Sequence, residues 1–106
     1  MPKYMWTVRY TADGTRGLRN DGGTTRRAIV ENLVKAMGGA VETFYFAFGS
    51  KDAIVIAELP DHAAAIAVDL AVRGAGGAEL ETAVLITAEE MDEATRRHVD
   101  YRAPGA

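Results

Sequence analysis

The first ten residues alternate between apolar and mixed side chains, which is the pattern of a β-strand. Across Lys3–Tyr10 the even positions are tyrosine, tryptophan, valine and tyrosine, while the odd positions include Thr7 and Arg9. Because successive side chains of a strand point to opposite faces, one face of this strand is strongly apolar. Residues 15–23 follow with several glycines, which predict only a helical turn and an irregular joint.

Two later segments repeat apolar side chains every three or four residues, which indicates amphipathic helices. The first begins at Thr24 or Thr25, either of which can cap it, and ends at Met37. The second spans His62–Arg73, with Asp61 as its expected N-cap. This second helix carries almost no charge, so we expect it to be covered on more than one side.

A β-hairpin is predicted between the two helices. Residues 41–48 form an aromatic-rich strand, 49–52 form the break Gly-Ser-Lys-Asp, and 53–58 form a second strand that is apolar on both faces. A strand of that kind lies in the middle of a sheet. Glycine supplies a positive φ and aspartate bonds its own local backbone, so we interpret Gly49 and Asp52 as turn residues first.

The chain closes with a strand over residues 78–86 and a helix over about 88–98, which the capping box at 87–90 begins. The element order is then β-α-β-β-α-β with an added C-terminal helix. That order predicts an α+β, ferredoxin-like fold, in which helices cover one face of a four-stranded antiparallel sheet of order 4-1-3-2. We expect a single domain over residues 1–98 and an extended tail over 99–106.

Composition removes several classes of function. No apolar run approaches the roughly 20 residues that span a bilayer, so no membrane partner is expected. The net charge of −3 and the lack of a basic-aromatic cluster argue against nucleic-acid binding. The chain has no cysteine, which excludes disulfides and thiolate sites and fits a reducing cytoplasm. We expect no metal or other cofactor, because His62 and His98 are far apart and lack closely spaced carboxylates.

The distribution of apolar and charged residues predicts that the chain assembles with itself. With Met5, Tyr45 and Val55 expected on the open sheet face, that face is too apolar to be left in water, and face-to-face pairing would form a homodimer or higher oligomer. Residues 1–53 carry eight Lys/Arg and five Asp/Glu, against four and ten in residues 54–106. These halves either interleave into a mixed surface or complement each other head to tail between subunits.

Five residues are candidates for a ligand site. Thr7, Arg9 and Tyr45 are expected on the open sheet face, where they line either a plain subunit interface or a cavity for a small anionic or apolar ligand. Asp52 has a second interpretation, as a general base at the mouth of a pocket. His62 opens a helix, where it is either an exposed residue or a neutral imidazole that transfers protons.

Arg9 needs a partner, because a lone charge on an apolar sheet face is costly. The structural interpretation is a glutamate on a neighbouring strand, namely Glu58, Glu79 or Glu81. The alternative is an anionic ligand such as a carboxylate or a phosphate, which the planar guanidinium suits.

Six segments along nearly the whole chain form a recognisable set: Met1-Pro-Lys-Tyr4, Thr24-Thr25-Arg26-Arg27, Phe46-Ala-Phe-Gly49, Leu59-Pro-Asp61, the alanine-rich second helix, and Val99-Asp-Tyr-Arg102 with Pro104-Gly105. Together they resemble the GYD-domain family, whose hairpin carries a Gly-Tyr-Asp motif. Gly49 and Asp52 match that motif here, and Lys51 stands in place of the tyrosine. The resemblance implies a dimeric α/β-barrel protein and brings no assigned activity.

Two functions remain open. The first is a homo-oligomeric module that binds a small ligand or a partner, which the lack of a nucleophile or metal constellation favours. The second is a cofactor-free enzyme, an isomerase or a monooxygenase-like protein, with its pocket between the sheet face and a partner subunit. In that case Arg9, Tyr45, His62 or Asp52 would polarise an enolisable substrate.

Overall fold

The computed structural model describes all 106 residues and contains four strands and four helices. In chain order these are β1 (Lys3–Tyr10), α1 (Ala12–Asp21), α2 (Gly23–Ala36), β2 (Ala40–Phe46), β3 (Ala53–Glu58), α3 (His62–Gly74), β4 (Ala78–Leu85) and α4 (Ala88–Thr95). None of the helices has the length and apolar character needed to cross a membrane.

The strands form one antiparallel sheet in the order β2-β3-β1-β4, which confirms the predicted order 4-1-3-2. The strand β3 lies between β2 and β1, as its apolar character on both faces predicts. Its residues Ala53, Val55 and Ala57 are buried beneath the helices. Its other side chains, Ile54 and Ile56, are half-buried on the opposite, open face.

The hydrophobic core lies between the sheet and the helices. The even positions of β1 supply Tyr4, Trp6 and Val8, which are all buried. Above them α2 contributes Val34, and α3 contributes alanines and one valine. Apolar burial of about 25 cal/mol per Å² makes this one-sided packing the main stabilising contribution. The opposite sheet face has no covering element within the chain.

The helix α1 corrects the prediction of a helical turn and a joint over residues 15–23. It is a complete helix because Thr11 caps it, accepting a hydrogen bond from the amide of Gly14 at 3.1 Å. Close packing adds to this, since a Cβ on Gly14 would overlap the carbonyl of Gly77. The expected glycine penalty is offset by a cap and a backbone contact that lies far along the chain.

The start of α2 also differs from the expectation of a threonine cap. Its N-cap is Gly22, at a φ of +82°, and no side chain accepts a hydrogen bond from its first amides. This positive φ is open to glycine and allows the sharp turn between α1 and α2. Thr24 and Thr25 therefore lie already inside the first helical turn. The predicted stop at Gly38, which has a φ of +85°, is confirmed.

The helix α3 begins as predicted, with the Asp61 carboxylate accepting from the Ala64 amide at 2.8 Å. Within one chain only one side of this helix is buried. Ile66 and Leu70 remain more than half exposed, at 53% and 59%. Coverage of its other side therefore stays a prediction about assembly.

One residue that was expected on the open face, Val55, lies on the other face of the sheet. Val55 is 2% exposed and pairs with Trp6 in the core, so its assignment to the open face was wrong. The apolar residues in the middle of the open face are Met5, Ile54 and Ile56, and Ala83 and Leu85 of β4 lie on the same face. Because residues 53–57 of β3 are all apolar, the sequence pattern leaves the direction of their side chains undetermined.

Candidate functional site

A cleft of about 340 Å³ lies between α1, α2 and α3 on the helix side of the sheet. This volume is at the lower end of the range for small-molecule sites. The cleft is mostly apolar, with three polar side chains: Tyr10, Asp21 and Arg26. Its principal apolar walls are Leu18, Ile29, Val30, Leu33, Ala71 and Val72.

The cleft has this shape because α1 is anchored at one end only. The Thr11 amide donates to the carbonyl of Gly77 at 3.1 Å, and its hydroxyl donates to the carbonyl of Gly76 at 2.9 Å. No residue of α1 is buried. The helix thus covers the cleft while leaving space beneath it, and Gly17, which lines the cleft, has no atom within 4 Å of where a Cβ would lie.

Tyr10 is placed in the cleft as the last residue of β1. Burial raises the pKa of the Tyr10 hydroxyl, and the nearby Asp52 raises it further. Arg26 opposes both effects through its positive charge and a hydrogen bond to Tyr10. The hydroxyl is therefore held neutral, which lets it donate a hydrogen bond.

Arg26 is the only positively charged residue that lines the cleft. It is partly buried and makes no salt bridge, and neither does Asp21. A guanidinium offers five donors in a planar fork that fits a carboxylate or phosphate. Next to the neutral Tyr10 hydroxyl, it forms a pair of donors at the end of an apolar cavity. The arrangement can hold an anionic group, and it contains no nucleophile activated by a base.

Two of the three candidate residues of the open sheet face, Thr7 and Tyr45, lie close together. Ile54 is flanked by Tyr45 on one side and Thr7 on the other, so these three form one row. Tyr45 is 69% exposed there. Arg9 lies beyond this row, at the exposed end of β1.

The expected salt bridge of Arg9 with a glutamate is not formed. Its Nη1 donates instead to the backbone carbonyl of Ser50 at 3.1 Å, although Glu79 is its register neighbour on β4. Glu81 is taken by Lys51, whose Nζ lies 3.0 Å from Oε1. Lys51 thus reaches across the open face to the far strand.

Asp52 is a structural residue, with a partner outside its own turn. Its Oδ2 accepts from the backbone amide of Tyr10 at 2.8 Å, and its own amide donates to Val8 at 2.8 Å. The carboxylate therefore joins the hairpin turn to the end of β1. The predicted bond to its own local backbone is replaced by this contact.

His62 lies at the other end of the sheet from the other candidates. Its Nδ1 is 2.6 Å from the hydroxyl of Tyr4, and the two rings meet edge to face. Six residues of strand separate Tyr4 from Tyr10, which is roughly 20 Å. His62 thus satisfies a buried hydroxyl, and it belongs to neither the cleft nor the open-face row. No group of three or more histidine, aspartate and glutamate side chains could hold a metal ion.

Tyr10 and Arg26 were not predicted as a pair from the sequence. A signal was present in the helical spacing, because Arg26 precedes Ile29, Val30 and Leu33 by three, four and seven residues. It is therefore a lone charge on the apolar stripe of α2. Such a position identifies a residue that needs a partner on the covered side of a helix, which here is the cleft.

Comparison with known proteins gives one match, which covers most of the domain. No curated protein and no solved structure matches the chain. Residues 4–95 match the GYD domain, a stretch that includes all of the sheet but Lys3, the cleft and the hairpin with Lys51. On the strength of that match, the chain belongs to the GYD-domain family.

Proposed function

We propose that the protein binds a small ligand with an anionic head and an apolar body in the cleft between α1, α2 and α3. The observation that carries the proposal is Arg26, a partly buried guanidinium without an acidic partner beside a mostly apolar cavity. A charge in apolar surroundings is costly unless it is paired. A carboxylate ligand would supply that pair.

The rest of the cleft fits the second half of such a ligand. Most of its lining residues are hydrophobic, and six of them come from α1, α2 and α3. A hydrocarbon chain or ring lying along them would lose water-exposed area at about 25 cal/mol per Å². The Tyr10 hydroxyl adds a second donor to the head group, so the site favours an acid over the corresponding alcohol.

Straight-chain carboxylates from butanoate to decanoate test the proposal by isothermal titration calorimetry. We expect one member of the series to bind the wild-type protein, and the alcohol of equal length to bind more weakly. Arg26→Gln should weaken carboxylate binding at least about tenfold, which corresponds to about 1.4 kcal/mol. Arg19→Gln is the matched control, because it removes an equal charge from an exposed position outside the cleft.

Failure of the whole series to bind the wild type would contradict the proposal. An equal loss of affinity in the two arginine variants would also contradict it, since binding would then follow net charge. Gly17→Leu gives an independent check, because its side chain would occupy the cleft while Arg26 stays in place. We expect this variant to lose binding without a loss of helical circular dichroism.

We also propose that the subunits are ferredoxin-like and pair through their open sheet faces, as a cytoplasmic homodimer of the α/β-barrel type. Met5, Ile54 and Ile56 form an apolar centre on that face. Charged residues border this centre at both ends, with Lys3 and Glu58 at one and Arg9 and Glu79 at the other. A central apolar area with a polar rim is typical of protein interfaces.

Light scattering on an eluting size-exclusion peak tests this assembly. We expect a dimer at micromolar concentration and a monomer for Ile56→Arg. Ile66→Glu, on the exposed side of α3, is the matched control and should stay dimeric. A wild-type monomer, or dissociation by the Ile66 change alone, would contradict pairing through the sheets.

The structure of such a dimer would also distinguish ligand binding from the alternative of a cofactor-free enzyme. Thr7 and Tyr45 would then face the partner sheet, the one place where a pocket between the sheet face and a partner could use them. A closed cavity around these two hydroxyls in a dimer structure would favour a cofactor-free enzyme. A filled interface would leave the helix-side cleft as the site of function.

A further inference from the structure

The C-terminal segment is well formed but has no packing partner. Every residue from Ile86 to Ala106 is exposed. The segment 87–106, here called the arm, contains α4 with a complete capping box: Thr87 and Glu90 exchange two hydrogen bonds of 3.0 Å. All side-chain hydrogen bonds and salt bridges of the arm stay within it.

The arm also exposes apolar side chains to water. Met91 is 50% exposed, Val99 is 74% exposed and Tyr101 is 77% exposed. The molecule measures 55 Å in its longest dimension and 23 Å in its shortest. Its radius of gyration is 16.9 Å, against about 13 Å for a compact domain of this length. A capped helix that exposes apolar side chains and does not pack on its own domain can bind to another surface.

The matching surface is a groove of about 320 Å³ at the sheet edge formed by β2. It is lined by Gly23, Thr24, Arg27, Phe44, Tyr45 and Phe46. Tyr45 and Phe46 are 69% and 40% exposed, and Phe48 beyond the end of β2 is fully exposed. Together with Tyr101 of the arm, these are the exposed aromatic residues of the chain. Exposed aromatic clusters mark interaction sites.

Charge favours the arm as the occupant of this groove. The helix α4 contains four carboxylates and no basic residue. The groove lies at the start of α2, whose first turn has no acidic residue and no side-chain cap. Free amides and the helix dipole make that end positive, and Arg27 adds to it although it also pairs with Glu31 at 3.9 Å. Arg96 and Arg97 pair with Glu93, and Glu90 caps the helix, so Glu89 and Asp92 are the carboxylates that complement the start of α2.

We propose that the arm of one copy docks into the β2-edge groove of a second copy. The acidic helix α4 lies near Arg27 and the start of α2, and Met91 and Tyr101 pack against the rings of Phe44 and Phe46. In the same chain the arm leaves from β4, which is the opposite edge of the sheet from β2. Reciprocal docking of two arms adds a second contact to the twofold sheet-face pair and leaves no arm free. This inference goes beyond ligand binding and does not depend on it.

The absence of cysteine in the chain allows a direct test by disulfide trapping. One copy of the full chain carries Thr24→Cys in the groove, and the other carries Ala103→Cys two residues beyond Tyr101. The matched control replaces Thr24→Cys by Ala67→Cys on the exposed side of α3. After mixing and mild oxidation, we expect the groove pair to form a covalent heterodimer at least about tenfold faster than the control pair. Equal rates for the two pairs would overturn the proposal.

A chain that carries both Thr24→Cys and Ala103→Cys distinguishes docking between copies from folding back within one copy. We expect linked dimers on a non-reducing gel, and a closed monomer of increased mobility would overturn the proposal. Arg27→Glu should slow trapping severalfold, whereas Lys35→Glu, an equal change farther along the same helix, should leave it unchanged. Equal effects of these two changes would show that Arg27 does not attract the arm, and would overturn docking in this groove.

Discussion

The carboxylate of Asp52 accepts a hydrogen bond of 2.8 Å from the backbone amide of Tyr10, forty-two positions earlier in the chain. The Asp52 amide donates in turn to the carbonyl of Val8. These two bonds tie the hairpin turn to the strand end that carries the Tyr10 hydroxyl into the cleft. Asp52 therefore positions one wall of the cleft without lining it.

Replacement of Asp52 should destabilise the fold because it leaves the Tyr10 amide without an acceptor. We expect Asp52→Ala to lower the free energy of unfolding by about 1–3 kcal/mol, and Asp52→Asn to lower it less because its amide oxygen still accepts. Urea denaturation followed by circular dichroism measures both values. Ser50→Ala in the same turn is the control, since only the backbone of Ser50 is used. A loss from Asp52→Ala no larger than that of the control would contradict this role.

Two glycines of α1 should respond in opposite directions to the same change. Gly17 has free space around the position of a Cβ, so Gly17→Ala should stabilise the helix by about 0.5–1 kcal/mol. A Cβ on Gly14 would overlap the carbonyl oxygen of Gly77, so Gly14→Ala should destabilise the protein. Thermal unfolding of the two variants measures the contrast. Stabilisation by both changes would mean that the contact between α1 and the α3–β4 loop is loose.

The strand order was predictable from the sequence because it follows from the pattern of apolar residues within each strand. Alternation along β1 and double-sided apolarity along β3 led to the correct strand order. The side of β3 that faces the helices was not predictable, since Ile54 and Val55 are equally apolar and only pairing with β1 distinguishes them. The helix α1 was missed because its support from Thr11 and Gly77 offsets low local propensity.

The candidate site was predictable to a smaller extent because it depends on contacts between distant residues. Tyr10, Arg26 and Ala71 line one cleft from three different elements. Sequence spacing places Arg26 on the covered side of α2, but it does not give the neighbours on that side. The open-face residues Thr7 and Tyr45 were placed correctly, because alternation alone fixes their face.

Removal of one partner or the other from the hydrogen bond between Tyr4 and His62 should change the stability by unequal amounts. His62→Ala leaves a buried Tyr4 hydroxyl without a partner, whereas Tyr4→Phe removes the hydroxyl itself. We therefore expect His62→Ala to lower the urea midpoint more than Tyr4→Phe, and the double variant to resemble Tyr4→Phe. Additive losses in the double variant would show that the two side chains act independently.

The same tyrosine predicts a loss of stability at alkaline pH. Burial raises the pKa of Tyr4 above its ordinary value of 10.0, and the Asp61 carboxylate raises it further. A raised pKa means that folding favours the protonated hydroxyl, so its contribution is complete below about pH 10 and is lost as pH rises further. The stability difference between wild type and Tyr4→Phe should therefore shift in favour of the variant above pH 10. A constant difference up to about pH 11 would contradict this.

Asp69 predicts the opposite pH dependence, on the acid side. Its side chain is 13% exposed, and burial by itself raises the pKa of the carboxyl. Hydrogen bonds from Thr82, at 2.6 Å, and from Arg73 lower the pKa, as does the charge of Arg73. The net result is a pKa below the ordinary value of 3.8. A lowered pKa means that folding favours the carboxylate, so its contribution is complete above about pH 4 and is lost as pH falls through the folded-state value. Asp69→Asn should therefore be less stable than wild type by up to about 1 kcal/mol near neutral pH, and the gap should narrow below about pH 4.

Urea unfolding at several pH values between about 3 and 7 measures that gap for Asp69→Asn. Asp92→Asn on α4 is the control, because its carboxylate is exposed and makes no salt bridge. Its difference from wild type should stay small throughout. A gap for Asp69→Asn that is the same at both ends of this range would show that the bonds to Thr82 and Arg73 do not depend on the charge of Asp69. In that case the link between α3 and β4 would be ordinary packing, supported equally by either side chain.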